Sequence, residues 1–214
     1  MYNPDKFKAA RTSPLQARGK ERVRVILAAS LELFKRYGIE AVTTNDIAAQ
    51  ARIPIGSLYR YYPNKDSIVK ALTDLYVADL TAAFESIGEH PMLKYLSWDE
   101  VLLLMVDSWV SYARLNGRYP LLYAQKFNPR LRQLNKTAWE EFIASFEAVL
   151  KKRCPAVTKR ELTVCFQLSV AAAEMGISEE FDKSAGPNLH YEAVGAVARY
   201  MLEACNRHAH GSPA

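Results

Sequence analysis

Apolar positions recur at helical spacing along most of the chain, and the period-two alternation of strands is scarce. From about Gly19 to Tyr37, one face is marked by Ile26, Ala29, Leu33 and Tyr37, and Gly38 supplies a stop. A second helix is expected near Thr43, where Thr43 and Asp46 have capping-box spacing and Ile47, Ala48 and Ala51 turn inward. Pro54 blocks its continuation, and Ile55 to Tyr62 leaves room for only about two turns. Asn64 can cap a fourth helix, carried by Ile68, Leu72, Leu75, Tyr76 and Leu80 to about Phe84. Helical patterns return at roughly 98–115, 120–126, 129–153, 159–175 and 188–206, between breaks at Gly117, Pro129, Pro155 and Gly186-Pro187. The expected fold is all-α, with three short helices and a linking one ahead of five or so more.

Charge divides this chain unevenly. Residues 1–66 hold 12 Lys and Arg against 6 Asp and Glu, a net +6, and the remaining residues hold 16 against 17. The basic excess of the 214-residue chain therefore sits in its first third, which predicts an anionic partner there, nucleic acid or a membrane surface. The longest central apolar run, Val101 to Val106, ends at Asp107, far short of the ~18 residues a membrane span needs. No apolar block follows the basic N-terminal residues, so a cytoplasmic location is expected. Cys154, Cys165 and Cys205 are odd in number and widely spaced, which suggests buried thiols rather than a disulfide framework or a metal site.

The stretch "IPIGSLYRYYPNK" at 53–65 concentrates aromatic and basic side chains on one short element. On a helix, Leu58 and Tyr62 fall within about 40° of each other and can face inward. Tyr59 and Tyr61 would flank that face with their hydroxyls outward, leaving Ser57 and Arg60 exposed. Joined to the preceding helix only through Arg52-Ile53-Pro54, this arrangement predicts a helix-turn-helix. Hydroxyls and ammonium groups would grip phosphates while the first turn reaches base edges.

At this point the chain resembles the tetracycline-repressor (TetR) family of transcriptional regulators. The resemblance covers residues 22–72. It rests on Ile26 with Leu33-Phe34 and Gly38, on Thr43 with Asp46-Ile47-Ala48, on Gly56-Ser57-Leu58-Tyr59-x-Tyr61-Tyr62, and on Pro63-Asn64-Lys65. It implies an N-terminal three-helix DNA-binding domain and a larger C-terminal helical domain for effector binding and dimerisation. By that resemblance Thr43 caps the second helix, Thr44 and Asn45 lie near DNA, and Ile55 and Gly56 face bases. Ser57, Tyr59 and Tyr61 would contact the backbone, with Arg60 exposed beside them and Lys65 on a phosphate. Tyr62 would take the place of a usual buried phenylalanine.

The family often has Gly-Val-Ser where this chain has Arg52-Ile53-Pro54. If position 52 is left-handed, arginine costs roughly 1 kcal/mol relative to glycine. Pro54 removes a serine cap, and Ile55 predicts an apolar contact with a thymine methyl. The expected divisions are a basic flexible arm at 1–18, the reading domain at 19–66, the effector and dimer domain at 67–206, and a flexible tail at 207–214. Either minor-groove or phosphate contact, or mere solubilisation, is open to the arm.

In the C-terminal region, Val101–Ala113 is apolar around most of its circumference and should be a buried helix. Leu102, Met105, Trp109, Tyr112, Phe127, Trp139, Phe142 and Phe166 are the candidate lining of a pocket for a small, lipophilic effector. The competing reading of the same stripe is an ordinary core. By resemblance, Ala172, Tyr191, Val194, Gly195, Ala198, Met201 and Leu202 form a homodimer interface, and a two-fold dimer predicts a palindromic operator on double-stranded DNA. Effector binding would shift the linking helix, Lys65–Phe84, and weaken DNA binding. No cofactor, metal site or membrane partner is expected, and His208 and His210 read as a solvated tail. An enzyme is disfavoured by the lack of G-x-S-x-G, H-E-x-x-H, P-loop and G-x-G-x-x-G motifs. A ligand-independent architectural DNA binder and a membrane-surface binder are the other rivals.

Overall fold

The computed structural model describes residues 14–116, 128–177 and 189–209, and every regular element among them is helical. The helices are α1 (Pro14–Tyr37), α2 (Thr44–Gln50), α3 (Ile55–Tyr61), α4 (Lys65–Glu89), α5 (Trp98–Asn116), α6 (Pro129–Leu134), α7 (Lys136–Arg153), α8 (Lys159–Ile177) and α9 (Leu189–Ala209). A 3₁₀ turn, Pro91–Tyr95, lies between α4 and α5. The chain forms two compact units, Met1–Tyr76 with Leu115–Lys136, and Val77–Arg114 with Thr137–Ala214. The division thus falls within α4 rather than at residue 66, and residues 128–136 join the first unit.

The core of the first unit is built by Ile26, Phe34, Ile47, Leu58, Ile68 and Leu72. The α1 face differs from expectation, because Phe34 is enclosed while Tyr37 is 56% exposed. Gly38, at φ +79°, turns the chain away directly after Tyr37, which leaves that ring at the helix end beneath the Arg36 guanidinium. Leu131 of α6 closes the core from a distant part of the chain. Two polar ties hold that segment: the Asn128 side-chain amide donates to the Glu40 carboxylate at 2.9 Å, and Arg130 pairs with Asp66.

In the second unit, α8 and α9 pack along each other. Helix α5 is less buried than its composition predicts: Leu102, Met105 and Trp109 are enclosed, but Leu104 is 46% exposed. Its outer polar groups find local partners, Ser108 Oγ donating to the Leu104 carbonyl at 2.6 Å and Tyr112 donating to Asp79. Cys165 is fully buried and its thiol is pushed up to about 12 by that burial, so it stays protonated and apolar in character.

The C-terminus of α9 runs past the expected boundary, and the contacts made there explain why. Glu161, in the first turn of α8, accepts the Thr158 N–H (2.9 Å) and hydroxyl (2.8 Å) as a helix cap. The same carboxylate meets Arg207 at 3.0 Å and His208 at 2.9 Å. The solvated-tail reading is therefore corrected for His208, and His210 lies outside the described residues. Burial alone would raise the Glu161 carboxyl, but hydrogen bonds from His208, Thr158 and Arg207 outweigh it and bring it down to about 2.

A carboxyl that titrates lower in the folded chain than its ordinary 4.5 stabilises the fold fully above 4.5. That contribution is lost as pH falls from 4.5 towards 2. Urea-unfolding midpoints measured across this window should decline in the wild type, and Glu161→Gln should flatten part of the decline. An unchanged acid limb in the variant would show that the carboxylate contributes nothing.

Candidate nucleic-acid interface

Helix α2 is started by its own side chains. Thr43 is the N-cap: its hydroxyl accepts the Asp46 N–H at 3.2 Å, and the Asp46 carboxylate accepts the Thr43 N–H at 2.8 Å. These bonds hold the Asp46 carboxyl below the usual carboxylate range. The capping box predicted from the spacing is present. After Gln50 the chain reverses through Arg52, whose φ of +52° makes it the only described non-glycine residue with a positive φ. The turn uses its own donors, the Arg52 N–H bonding the Ala49 carbonyl at 3.1 Å and the Ile53 N–H bonding the Ala48 carbonyl at 3.0 Å.

Pro54 then sets the start of α3. It occupies the N-cap with φ −60° and gives no side-chain cap, so the serine cap is missing as expected. The Ser57 and Leu58 N–H groups bond back to the Pro54 carbonyl at 2.9 and 3.3 Å. Leu58 is fully enclosed and fixes the helix to the core. Tyr62 is half-buried and packs beside it, and burial raises its hydroxyl pKa.

The outward side of this unit carries Thr43, Asn45, Gly56, Tyr59 and Arg60, all exposed. Thr44 and Tyr59 come together across the turn, with their hydroxyl oxygens 3.0 Å apart. Two hydroxyls sharing one hydrogen bond keep one O–H to donate elsewhere. The Tyr59 hydroxyl, expected to reach outward, is braced there by Thr44. Ser57 is half-buried rather than exposed, and Ile55 and Tyr61 lean partly on the core. Lys65 differs most, since its ammonium donates to the Ile39 and Glu40 carbonyls at 2.6 and 3.1 Å. It ties the start of α4 to the segment following α1, which leaves one of its three N–H groups for an anion.

This geometry is matched by known proteins. Residues 26–72 match the family model "Bacterial regulatory proteins, tetR family". Over that stretch the chain carries the DNA-binding region of the TetR family. Among curated relatives, the HTH-type transcriptional repressor KstR of Rhodococcus jostii is 39% identical over 75 residues, 34% of this chain and 32% of that protein. The chain spans only about a third to a half of the length of the curated relatives it matches. A solved TetR-family protein from Rhodococcus RHA1 shares the fold with a TM-score of 0.61 at 18% identity, covering 85% of this chain and 97% of its own. The Bacillus subtilis regulator FadR, solved with stearoyl-CoA, gives 0.64 at 16% identity over 85% and 98%.

The candidate effector residues are placed as follows. Phe127 lies outside the described residues. Leu102, Met105 and Phe142 are fully enclosed. Trp109 meets Phe142 edge-on at 5.1 Å between ring centroids, Trp139 meets Phe142 at 5.5 Å, and Phe166 lies 6.0 Å from Phe142. Tyr112 is half-buried and turned to Asp79. The rings pack as a core, extended by Phe84 and Phe146, which the sequence reading left out. The Trp109 indole N–H is buried there without a hydrogen-bond partner among the described residues. A groove of about 480 Å³ between α4 and α7, bordering this cluster at Phe84, is lined also by Thr81, Glu85, Glu141, Val149 and Lys152, and by none of the eight candidates.

Of the candidate dimer residues, Ala172, Val194, Ala198 and Met201 are enclosed by their own chain and have no surface to give a partner. Gly195 is half-buried. Among the described residues of α8 and α9, the large apolar side chains that are exposed are Leu168, Tyr191 and Leu202, the last two on one side of α9. Among the described residues no group of His, Cys, Asp or Glu is placed to hold a metal ion, and no helix is long and apolar enough to cross a membrane.

The left-handed arginine gives a direct test. Arg52→Gly should stabilise the chain by about 1 kcal/mol, because glycine meets no Cβ clash at this φ. Chemical denaturation reads the difference, and a less stable variant would refute the argument.

Proposed function

We propose that this protein is a transcriptional repressor that binds a palindromic operator as a two-fold homodimer and is released by a small lipophilic ligand. The observation that carries the reading is α3 itself, anchored inward by Leu58 and braced outward through Tyr59 and Thr44. Such a helix can seat its first turn in the major groove while hydroxyls and Lys65 hold phosphates. The basic surplus of residues 1–66 supplies the attraction. Kinship with a repressor supports the direction of control.

Dimerisation is supported by the outward apolar side chains Leu168, Tyr191 and Leu202 on neighbouring helices. For the ligand, two observations agree. FadR of the same fold was solved with stearoyl-CoA, a long-chain acyl molecule. Here an aromatic cluster holds one unmet donor, the Trp109 N–H, which a carbonyl or ether oxygen would satisfy. A ligand has to part these rings to enter. It can act only by binding the DNA-competent and incompetent states unequally. Helix α4 contributes residues to both compact units, so a shift along it is the route by which occupancy would reach the reading heads.

Selection of bound duplexes from a random pool should recover an inverted repeat, held ~10³-fold or more tighter than scrambled DNA. Ile55→Ala should relax the preference at one thymine position of each half-site. Binding indifferent to sequence would replace this reading with an architectural role. On the recovered operator, ligands bearing an acceptor oxygen should release the protein. Trp109→Phe should then raise the concentration needed by about fivefold, the equivalent of one hydrogen bond of ~1 kcal/mol. An unaltered release curve would remove Trp109 from the ligand site.

A further inference from the structure

Helix α1 begins at Pro14, well before the first residue of the family match and before its own buried face starts at Ile26. The first three turns of this helix are thus ordered structure carrying Arg18, Lys20, Arg22 and Arg24, all exposed. Core packing does not need so long an overhang, so what it faces decides its use. A Cβ added at Gly19 would lie 3.9 Å from the Tyr61 hydroxyl, which places this part of α1 against the last turn of α3. Relative to Gly19, Arg22 and Arg18 sit about 60° and 100° round the helix on the same side, and Lys20 about 100° round the other. The two arginines therefore form one short stripe, a turn apart, bordering Tyr61.

Their partners matter as much as their position. Arg24 is already engaged by Glu21, at 2.6 Å. Arg18 and Arg22 have no ion-pair or hydrogen-bond partner among the described residues. Two unpaired guanidiniums continuous with a DNA-reading helix match one ligand chemistry, the phosphodiester backbone, which they can grip in forked fashion.

We propose that Arg18 and Arg22 bind backbone phosphates flanking the site where α3 sits, so that α1 extends the footprint beyond the helix-turn-helix. The proposal rests on the DNA-binding reading above. It assigns these side chains to positioning and affinity, not to base choice, since phosphates carry no direct sequence information.

The test is the salt dependence of binding by the full chain, on the selected operator and on a scrambled duplex. Each neutralised phosphate contributes about 0.9 to the slope of log affinity against log salt concentration, so Arg18→Ala with Arg22→Ala should flatten it by about 1.8. Each single variant should give half of that, and Arg18→Lys with Arg22→Lys should restore the slope. The affinity loss should be equal on both duplexes, leaving the specificity ratio unchanged. An unaltered slope in variants that still prefer the operator overturns this proposal and leaves the DNA-binding reading intact. A loss confined to the operator also overturns it, because that would mean base reading. A wild-type chain with no affinity for any duplex overturns both.

Discussion

The geometry of the reading head depends on how firmly α3 is held after a turn that disfavours it. Arg52 is left-handed at a cost of roughly 1 kcal/mol, and the lack of a side-chain cap on α3 forgoes about another. Full burial of a leucine contributes about 1.5–3 kcal/mol, so Leu58 offsets both. Ile53, itself buried, and the bond from its N–H to the Ala48 carbonyl fix the turn between them. A seven-residue helix is too short to persist on its own. Its direction is set by tertiary anchoring, and the hydroxyl contact from Tyr59 to Thr44 locks its rotation against α2.

Each compact unit is closed by contacts between residues far apart in sequence. In the first, Leu131 fills the core while Asn128 and Arg130 tie the same short segment to Glu40 and Asp66. In the second, Glu161 joins the start of α8 to the end of α9 through Arg207 and His208. A single carboxylate serving as helix cap and as partner of Arg207 and His208 is held in place from both helices, and its ionisation is coupled to the fold. Neither tie is visible to periodicity, which reports faces of helices and not which helix meets which.

Much of the architecture was legible because helical periodicity and punctuation agreed. Thr43 with Asp46, Gly38, Pro54 and Asn64 each fall at an element boundary, and Ile47, Ala48 and Leu58 face inward as their spacing requires. Boundaries failed where tertiary contacts extend a helix, as at Arg207 and His208. The start of α1 was obscured by Gly19, a residue that weakens a helix reading although Pro14 is a favourable first residue. Within the site, residue types were readable but pairings were not. Thr44 and Tyr59 are fifteen positions apart, and Lys65 reaches carbonyls twenty-five and twenty-six positions away. The aromatic stripe could not be assigned to pocket or core from spacing alone, because both need the same residues on the same face.

The side chains on the outward surface also limit how discrimination can work. Gly56 offers no side chain, Ile55 is half spent on the core, and Ser57 is half-buried, so few groups at α3 are left to donate to base edges. Asn45 and Arg60 are the exposed exceptions, each able to form paired hydrogen bonds to a base. A head with so few base-facing groups would gain most of its hold from phosphates, and such a hold would be shared by every sequence. In the homodimer proposed above, specific recognition would come from using two heads at once, because linked sites add their free energies while either one alone stays weak. Such an arrangement would also make release easy to control. Under that proposal a ligand would not have to damage any contact in the reading head; it would be enough that the two heads no longer match the spacing of the half-sites.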